Sequence, residues 1–307
     1  MTLSQPPLFL LLAVAWLTAA SRLAAGEVMP LYPGEIPNSV PHSVKEVVEE
    51  RDGQFSGYKG ATFPTLEIVL PDDPGHPTAA VVICPGGGYV RQVYRKEGTD
   101  IAKVYSDHGV AAFILKYRIP NDLTMADKSI GPLQDAQQAI RLVRQNATKW
   151  NVDPGKVGIM GFSAGGHVAS SAATHFEKAL IPNPDGVSLR PDFAILVYPV
   201  VSMIDGIAHA GSRENLLGKN PEESQVRLFS NELQVDEKTP PTWLTHAGDD
   251  AAVPVANSVR FYDALIEHGV PAEMHLYPKG GHGFVLKDPA ERWMASIFDW
   301  MERSGIR

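Results

Sequence analysis

Ser163 stands between glycines in Gly161-Phe162-Ser163-Ala164-Gly165, a G-x-S-x-G pattern. That spacing suits a strand that turns sharply into a helix and holds a serine hydroxyl in a strained conformation, ready to attack a carbonyl carbon. The apolar run KVGIMGF leads into the serine and an alanine-rich segment follows it, which supplies the strand-to-helix context. Without that context the match would fit a small residue packed in a turn. The first turn of a helix leaves backbone N–H groups unpaired, so the Ala164 amide is expected to face an oxyanion developing near Ser163.

Gly86, Gly87 and Gly88 follow a second apolar run, AAVVIC, and expose consecutive amides with no side chains to block a ligand. Gly87 and Gly88 are the expected oxyanion donors beside Ala164. A glycine run by itself is a flexible loop, and a phosphate cradle would need the Lys-Ser/Thr that is missing here. Tyr89, directly after the glycines, is a candidate substrate contact.

A serine hydroxyl is a weak nucleophile until a base takes its proton, and in this arrangement the carboxylate and histidine follow the serine in that order. Ten histidines compete for the role of base. His282 is selected by its setting: it follows a strand-like run late in the chain, in a loop with Gly280, Gly281 and Gly283. His246 and His275 fall inside strand-like runs, where packing is expected, and His167, in the helix after the serine, reads as a structural hydrogen-bonding group. Asp249 and Asp250 both qualify as the carboxylate; the plain alternative for such a pair is a turn or a helix N-cap.

These residues need elements that gather them at one edge. Apolar, β-rich runs at 65–70, 79–84, 110–118, 156–162, 193–199, 241–247 and 272–278 alternate with amphipathic segments at 98–109, 132–150, 257–269 and 290–303. In 132–150, Leu133, Ala136, Ile140, Val143 and Ala147 recur at helical spacing, with Pro132 suited to the first turn. The alternation predicts an α/β fold, a mostly parallel, doubly wound sheet with helices on both faces, forming one domain over residues 27–307. Segments 177–191 and 202–238 break the rhythm, and both are expected to leave strand ends at the carboxyl edge of the sheet as lid or substrate-binding insertions.

Of the 307 residues, 44% are hydrophobic and 20% charged, ample material for a core. Residues 1–26 read as a secretory signal, with an apolar run from Leu8 to Ala20 and small residues Ala24 and Gly26 before Glu27. An uncleaved membrane anchor is the alternative, because no Lys or Arg precedes the apolar run. The segment carries one charged side chain, Arg22; without it 26 basic residues face 35 acidic ones, a net of −9. Such an acidic export product is expected to bind neither nucleic acid nor an anionic membrane. Cys84 is the only cysteine, so no intrachain disulfide forms. With no HExxH, no close His/Asp cluster and no cysteine pair, neither a metal nor another cofactor is expected.

Together, CPGGGY, EGTDIAKVY, FILKYRIP, PLQDAQQAIRLVRQNA, GIMGFSAGGHVA, RPDFAILVYPV, TPPTWLTHAGDDAAVPVANSV and YPKGGHGF resemble the acetylxylan-esterase-like branch of the α/β-hydrolase superfamily, exported bacterial carbohydrate esterases. The likeness runs from about Leu31 to Trp300. It implies the α/β-hydrolase fold and hydrolysis of short-chain, chiefly acetyl, esters on xylan-type oligosaccharides or other sugars through an acyl-serine. It also separates the acid pair: the family's D-x-x-V-P motif is matched by Asp250-Ala251-Ala252-Val253-Pro254, so Ser163, Asp250 and His282 are the implied triad. Tyr32 departs from the tryptophan usual in the family's entry motif, which withholds support from substrate contacts near the amino terminus. The competing readings are a general short-chain carboxylesterase and a carbohydrate-binding homologue without turnover, the latter expected to have a degraded triad. A prolyl-oligopeptidase-type peptidase would need a propeller domain for which this length has no room.

Overall fold

The computed structural model describes residues 26–72 and 75–307, so the signal assigned to residues 1–26 lies outside them except for Gly26. The strands are β1 (Glu27–Pro30), β2 (Val47–Arg51), β3 (Gln54–Lys59), β4 (Thr65–Val69), β5 (Thr78–Cys84), β6 (Arg91–Gln92), β7 (Ala111–Lys116), β8 (Val152–Phe162), β9 (Ala194–Val197), β10 (Thr242–Ala247) and β11 (Ala272–Tyr277). The helices are α1 (Asp100–Asp107), α2 (Gly131–Gln145), α3 (Ala147–Trp150), α4 (Ser163–Thr174), α5 (Ala210–Leu217), α6 (Glu223–Leu228), α7 (Ala256–Glu267) and α8 (Ala290–Arg303). Eight strands join in the order β1-β4-β7-β5-β8-β9-β10-β11, and β2, β3 and β6 form a separate small sheet. In the large sheet the β1/β4 and β4/β7 pairs are antiparallel and the rest are parallel.

The apolar runs are buried because helices cover the sheet on both sides. All seven residues of β5 are buried. Ala80, Val82 and Cys84 pack with side chains of α2, α4 and α7, whereas Ala79, Val81 and Ile83 pack with those of α1 and α8. A strand's side chains alternate between faces, so a strand buried on both is apolar along most of its length, with Thr78 the one polar side chain of β5. Met294, Ile297, Phe298 and Met301 anchor α8 to its face, each burial contributing roughly 1.5–3 kcal/mol of transfer free energy.

Two predicted helices differ in detail. The 132–150 segment breaks at Asn146, whose Nδ2 donates to the Leu142 carbonyl at 2.9 Å and so competes with the helix ladder. The 98–109 segment starts earlier, as a π-helical turn, Arg95–Thr99, that runs into α1.

The insertion expectations also need correction. Residues 177–191 connect the far end of α4 to the start of β9, which puts them at the amino edge of the sheet, away from Ser163. There Gln137 and Arg141 of α2 bind the segment, through Lys178, Leu180, Asn183 and Asp185. Residues 202–238 do leave the carboxyl edge after β9, and they fold into α5, α6 and a short 3-10 turn, Asn231–Leu233. This segment packs down through buried Met203, Leu216 and Phe229, and Asn231 bonds Ser170 and Ser171 of α4 at 2.7 and 3.0 Å. It is a fixed wall against the elbow helix.

Candidate active site

Ser163 begins α4 directly after β8 and has φ +51°, a left-handed conformation that a non-glycine residue adopts only under constraint. The constraint is close packing. A Cβ on Gly165 would lie 2.0 Å from the Cys84 carbonyl oxygen, and one on Gly161 would lie 2.1 Å from that of Gly165. Both glycines of the motif are therefore required by backbone contacts that hold the turn.

His282 reaches this turn from the loop after β11. Its Nε2 lies 2.9 Å from Ser163 Oγ, and its Nδ1 lies 2.7 Å from Asp250 Oδ2. An ionised carboxylate can only accept, so Nδ1 carries a proton toward Asp250 and Nε2 is left to accept the serine proton. Asp250 Oδ1 takes the Ala252 and Val253 amides, each at 2.9 Å. Burial alone would raise the Asp250 pKa, but hydrogen bonds from His246, His282 and the Val253 amide outweigh it and hold the carboxyl well below the usual range. Asp249 does different work: its Oδ1 accepts the Gly280 and Gly281 amides, both at 2.8 Å, and so fixes the loop that carries His282.

The glycine loop meets the same point. The Gly86 amide donates to Glu97 Oε2 at 2.6 Å, while those of Gly87 and Gly88 find no partner among the described residues. Gly88 has φ +66°, the Ala164 amide lies in the first turn of α4, and a Cβ on Gly86 would lie 2.9 Å from that of Ser163, so the glycine loop runs beside the serine turn. Asn215 Nδ2 of α5 donates to the Gly88 carbonyl at 2.8 Å, tying the loop to the 202–238 wall.

Tyr89 corrects an expectation. It is 2% exposed, with its hydroxyl bound to His167 Nδ1 at 2.8 Å and its ring packed edge-on against Tyr117, so it supports the loop from beneath. His167 completes the chain by donating Nε2–H to the Phe229 carbonyl at 2.8 Å, which leaves Nδ1 to accept from the tyrosine. Burial lowers its pKa to about 4, so it stays neutral.

Several supporting residues escaped the sequence reading. Glu97, on the π-helical turn, is 4% exposed and also accepts the Tyr198 hydroxyl at 3.0 Å; the Tyr198 ring stands 4.9 Å from that of His282. Burial pushes its carboxyl up to about 7, against the pull of the Gly86 amide and the Tyr198 hydroxyl. An acidic residue four positions before the buried Ile101, ahead of an amphipathic helix, was the available signal. His246, four residues before Asp250, lies 3.3 Å from its Oδ2 and 3.0 Å from the Val253 carbonyl. His209, which caps α5, had no local pattern to reveal it.

A doubly wound, mostly parallel sheet with a strained serine elbow, a following Asp and His in hydrogen-bonded file, and a glycine loop of free amides defines an α/β hydrolase. Within that class the chain belongs to the BD-FAE family, whose profile matches residues 66–265. It is 40% identical over 209 residues to the endo-1,4-beta-xylanase B of Butyrivibrio fibrisolvens, covering 67% of this chain and 32% of that protein. It is 36% identical over 219 residues to the acetylxylan esterase of Xylanibacter ruminicola, covering 70% and 42%. The chain thus spans less than half the length of either relative. Among solved structures, the acetyl ester-xyloside bifunctional hydrolase from Caldicellulosiruptor lactoaceticus superposes with a TM-score of 0.78 at 36% identity, covering 92% of this chain and 97% of that one.

Proposed function

We propose that the protein is a serine esterase that removes short acyl groups, acetyl above all, from xylan-type oligosaccharides or other acetylated carbohydrates. The observation that carries this reading is the unbroken file from Ser163 Oγ through His282 to Asp250, beside a glycine loop whose Gly87 and Gly88 amides have no partner among the described residues. Ser163 attacks the ester carbonyl as His282 Nε2 takes its proton, and Asp250 holds the imidazole in the required tautomer and stabilises its positive charge. The amides of Gly87, Gly88 and Ala164 receive the developing oxyanion. His282 returns the proton to the departing alcohol, and water then repeats the sequence on the acyl-serine.

The short-acyl half is supported by the wall over the glycine loop, which is rich in charged residues and lacks the long apolar surface with which a lipase meets a lipid interface. The carbohydrate half is supported by the xylan-directed names of the relatives. Among the described residues no helix is long and apolar enough to cross a membrane. Export belongs to the same reading: residues 1–26 act as a removable signal, and amino-terminal sequencing should find the exported chain starting at Glu27 and not at Met1.

The test compares kcat/KM on p-nitrophenyl acetate and octanoate, with acetate release measured from acetylated xylo-oligosaccharides. Preference for acetate together with release from the oligosaccharides is expected. Preference for octanoate contradicts the short-acyl half, and acetate activity on the aryl ester with none on acetylated sugars leaves a general carboxylesterase.

A further inference from the structure

His209 is the one residue of the 202–238 wall whose ring bears on the glycine loop while keeping a ring nitrogen unused. A methyl group placed on Gly88 would lie 3.7 Å from its Cε1. The Asn215 bond to the Gly88 carbonyl, made from the same helix, holds ring and loop in fixed relation.

The hydrogen bonding decides which nitrogen carries the proton. His209 caps α5, and the Ser212 amide points at Nδ1 at 3.1 Å, with Ser212 Oγ at 2.8 Å. A backbone amide can only donate, so Nδ1 is an acceptor and the proton of the neutral ring sits on Nε2. Nε2 has no partner among the described residues, and the ring is half-buried. Burial first, and then repulsion from His282, lower the pKa of His209, so the ring stays neutral and Nε2–H remains a donor. An acetyl group carries no oxygen beyond its carbonyl, which the loop amides take, so a donor beside Gly88 that bonds the substrate meets an oxygen of the sugar, the departing alcohol.

We propose that His209 is a specificity-determining residue, its Nε2–H donating to an oxygen of the sugar that leaves as the alcohol. The proposal rests on the esterase reading above and narrows it. A hydroxyl or ring oxygen next to the acetylated position supplies the acceptor, which a p-nitrophenyl group lacks at that point. One neutral hydrogen bond made in both ground and transition states appears in KM and not in kcat, with a size of about tenfold.

The experiment measures kcat and KM on acetylated xylobiose and on p-nitrophenyl acetate for wild type, His209→Ser and His209→Ala. Serine retains a side-chain oxygen to cap α5 but cannot reach the substrate, whereas alanine loses both functions. In both variants the ratio of kcat/KM on acetylated xylobiose to that on the aryl ester is expected to fall about tenfold, chiefly through KM. A ratio within twofold of wild type in His209→Ser, or a fall in His209→Ala alone, overturns the proposal, since the latter would make His209 a helix cap only. A wild type that cleaves neither ester overturns the esterase reading itself, which separates the two failures.

Discussion

Asp249 and Asp250 are chemically alike neighbours on one turn, yet one accepts from an imidazole and the other from two loop amides. Replacing Asp250 with Asn puts an amide where a pure acceptor is needed and favours the wrong His282 tautomer, so kcat should fall by up to about four orders of magnitude. Asp249→Asn keeps an oxygen that can accept both amides, and its loss should be far smaller. Steady-state kinetics of the two variants check this, and a larger loss in Asp249→Asn would contradict the geometry. Glu97 gives a separate prediction, in stability. Its folded-state pKa is raised to about 7 from 4.5, so the fold favours the protonated form. The stabilising contribution is full below the unfolded value and is lost as pH rises through about 7. The stability of wild type minus that of Glu97→Gln should therefore fall between pH ~5 and ~8, by as much as about 3 kcal/mol. Denaturant unfolding at both pH values measures it; a difference that is constant or grows with pH contradicts the assignment of the buried carboxyl.

At the scale of elements, the segment after β7 is locked to α2 by a buried ion pair. Arg118 is 1% exposed and Asp135 0%, with Nη2 to Oδ1 at 2.7 Å, and the Tyr32 hydroxyl donates to the same oxygen at 3.0 Å. Tyr32, which departs from the family's usual tryptophan, thus serves to bind the entry segment to α2. Arg118→Met would leave a buried carboxylate short of its charge partner, and unfolding free energy should drop by about 3–5 kcal/mol. A loss under about 1 kcal/mol in denaturant unfolding would contradict it. The elements themselves were legible wherever an apolar run is buried on both faces, as in β5, β7 and β10, because such runs have no polar alternative reading. β2, β3 and β6 were not, since a short hairpin such as VVEER followed by QFSGYK lies mostly at the surface and carries no strong period. The elbow, glycine loop and histidine loop were legible because each needs glycine at fixed places. His209 and Asn215 were hidden because their roles depend on contacts with Gly88, far away in the chain, and Glu97 offered a local signal but not its distant partner Tyr198.

For the whole molecule, the parallel sheet sets the arrangement. β5, β8, β10 and β11 all end at one edge, and the glycine loop, Ser163, Asp250 and His282 follow those ends in turn. The 202–238 segment closes over that edge as a wall bound to α4 and to the Gly88 carbonyl. Under the proposed function, the charged residues of that wall suit a short acyl group on a hydrated sugar better than a lipid surface. The central claim is that ester cleavage passes through an acyl group on Ser163. The direct measurement is peptide mass analysis after the enzyme, turning over acetylated xylo-oligosaccharides, is quenched in acid. The account predicts one acetyl group on the peptide containing Ser163, absent from Ser163→Ala, together with loss of nearly all acetate release in that variant. Acetate release above roughly a tenth of wild type in Ser163→Ala, or an acetyl group found only on another residue, would contradict it.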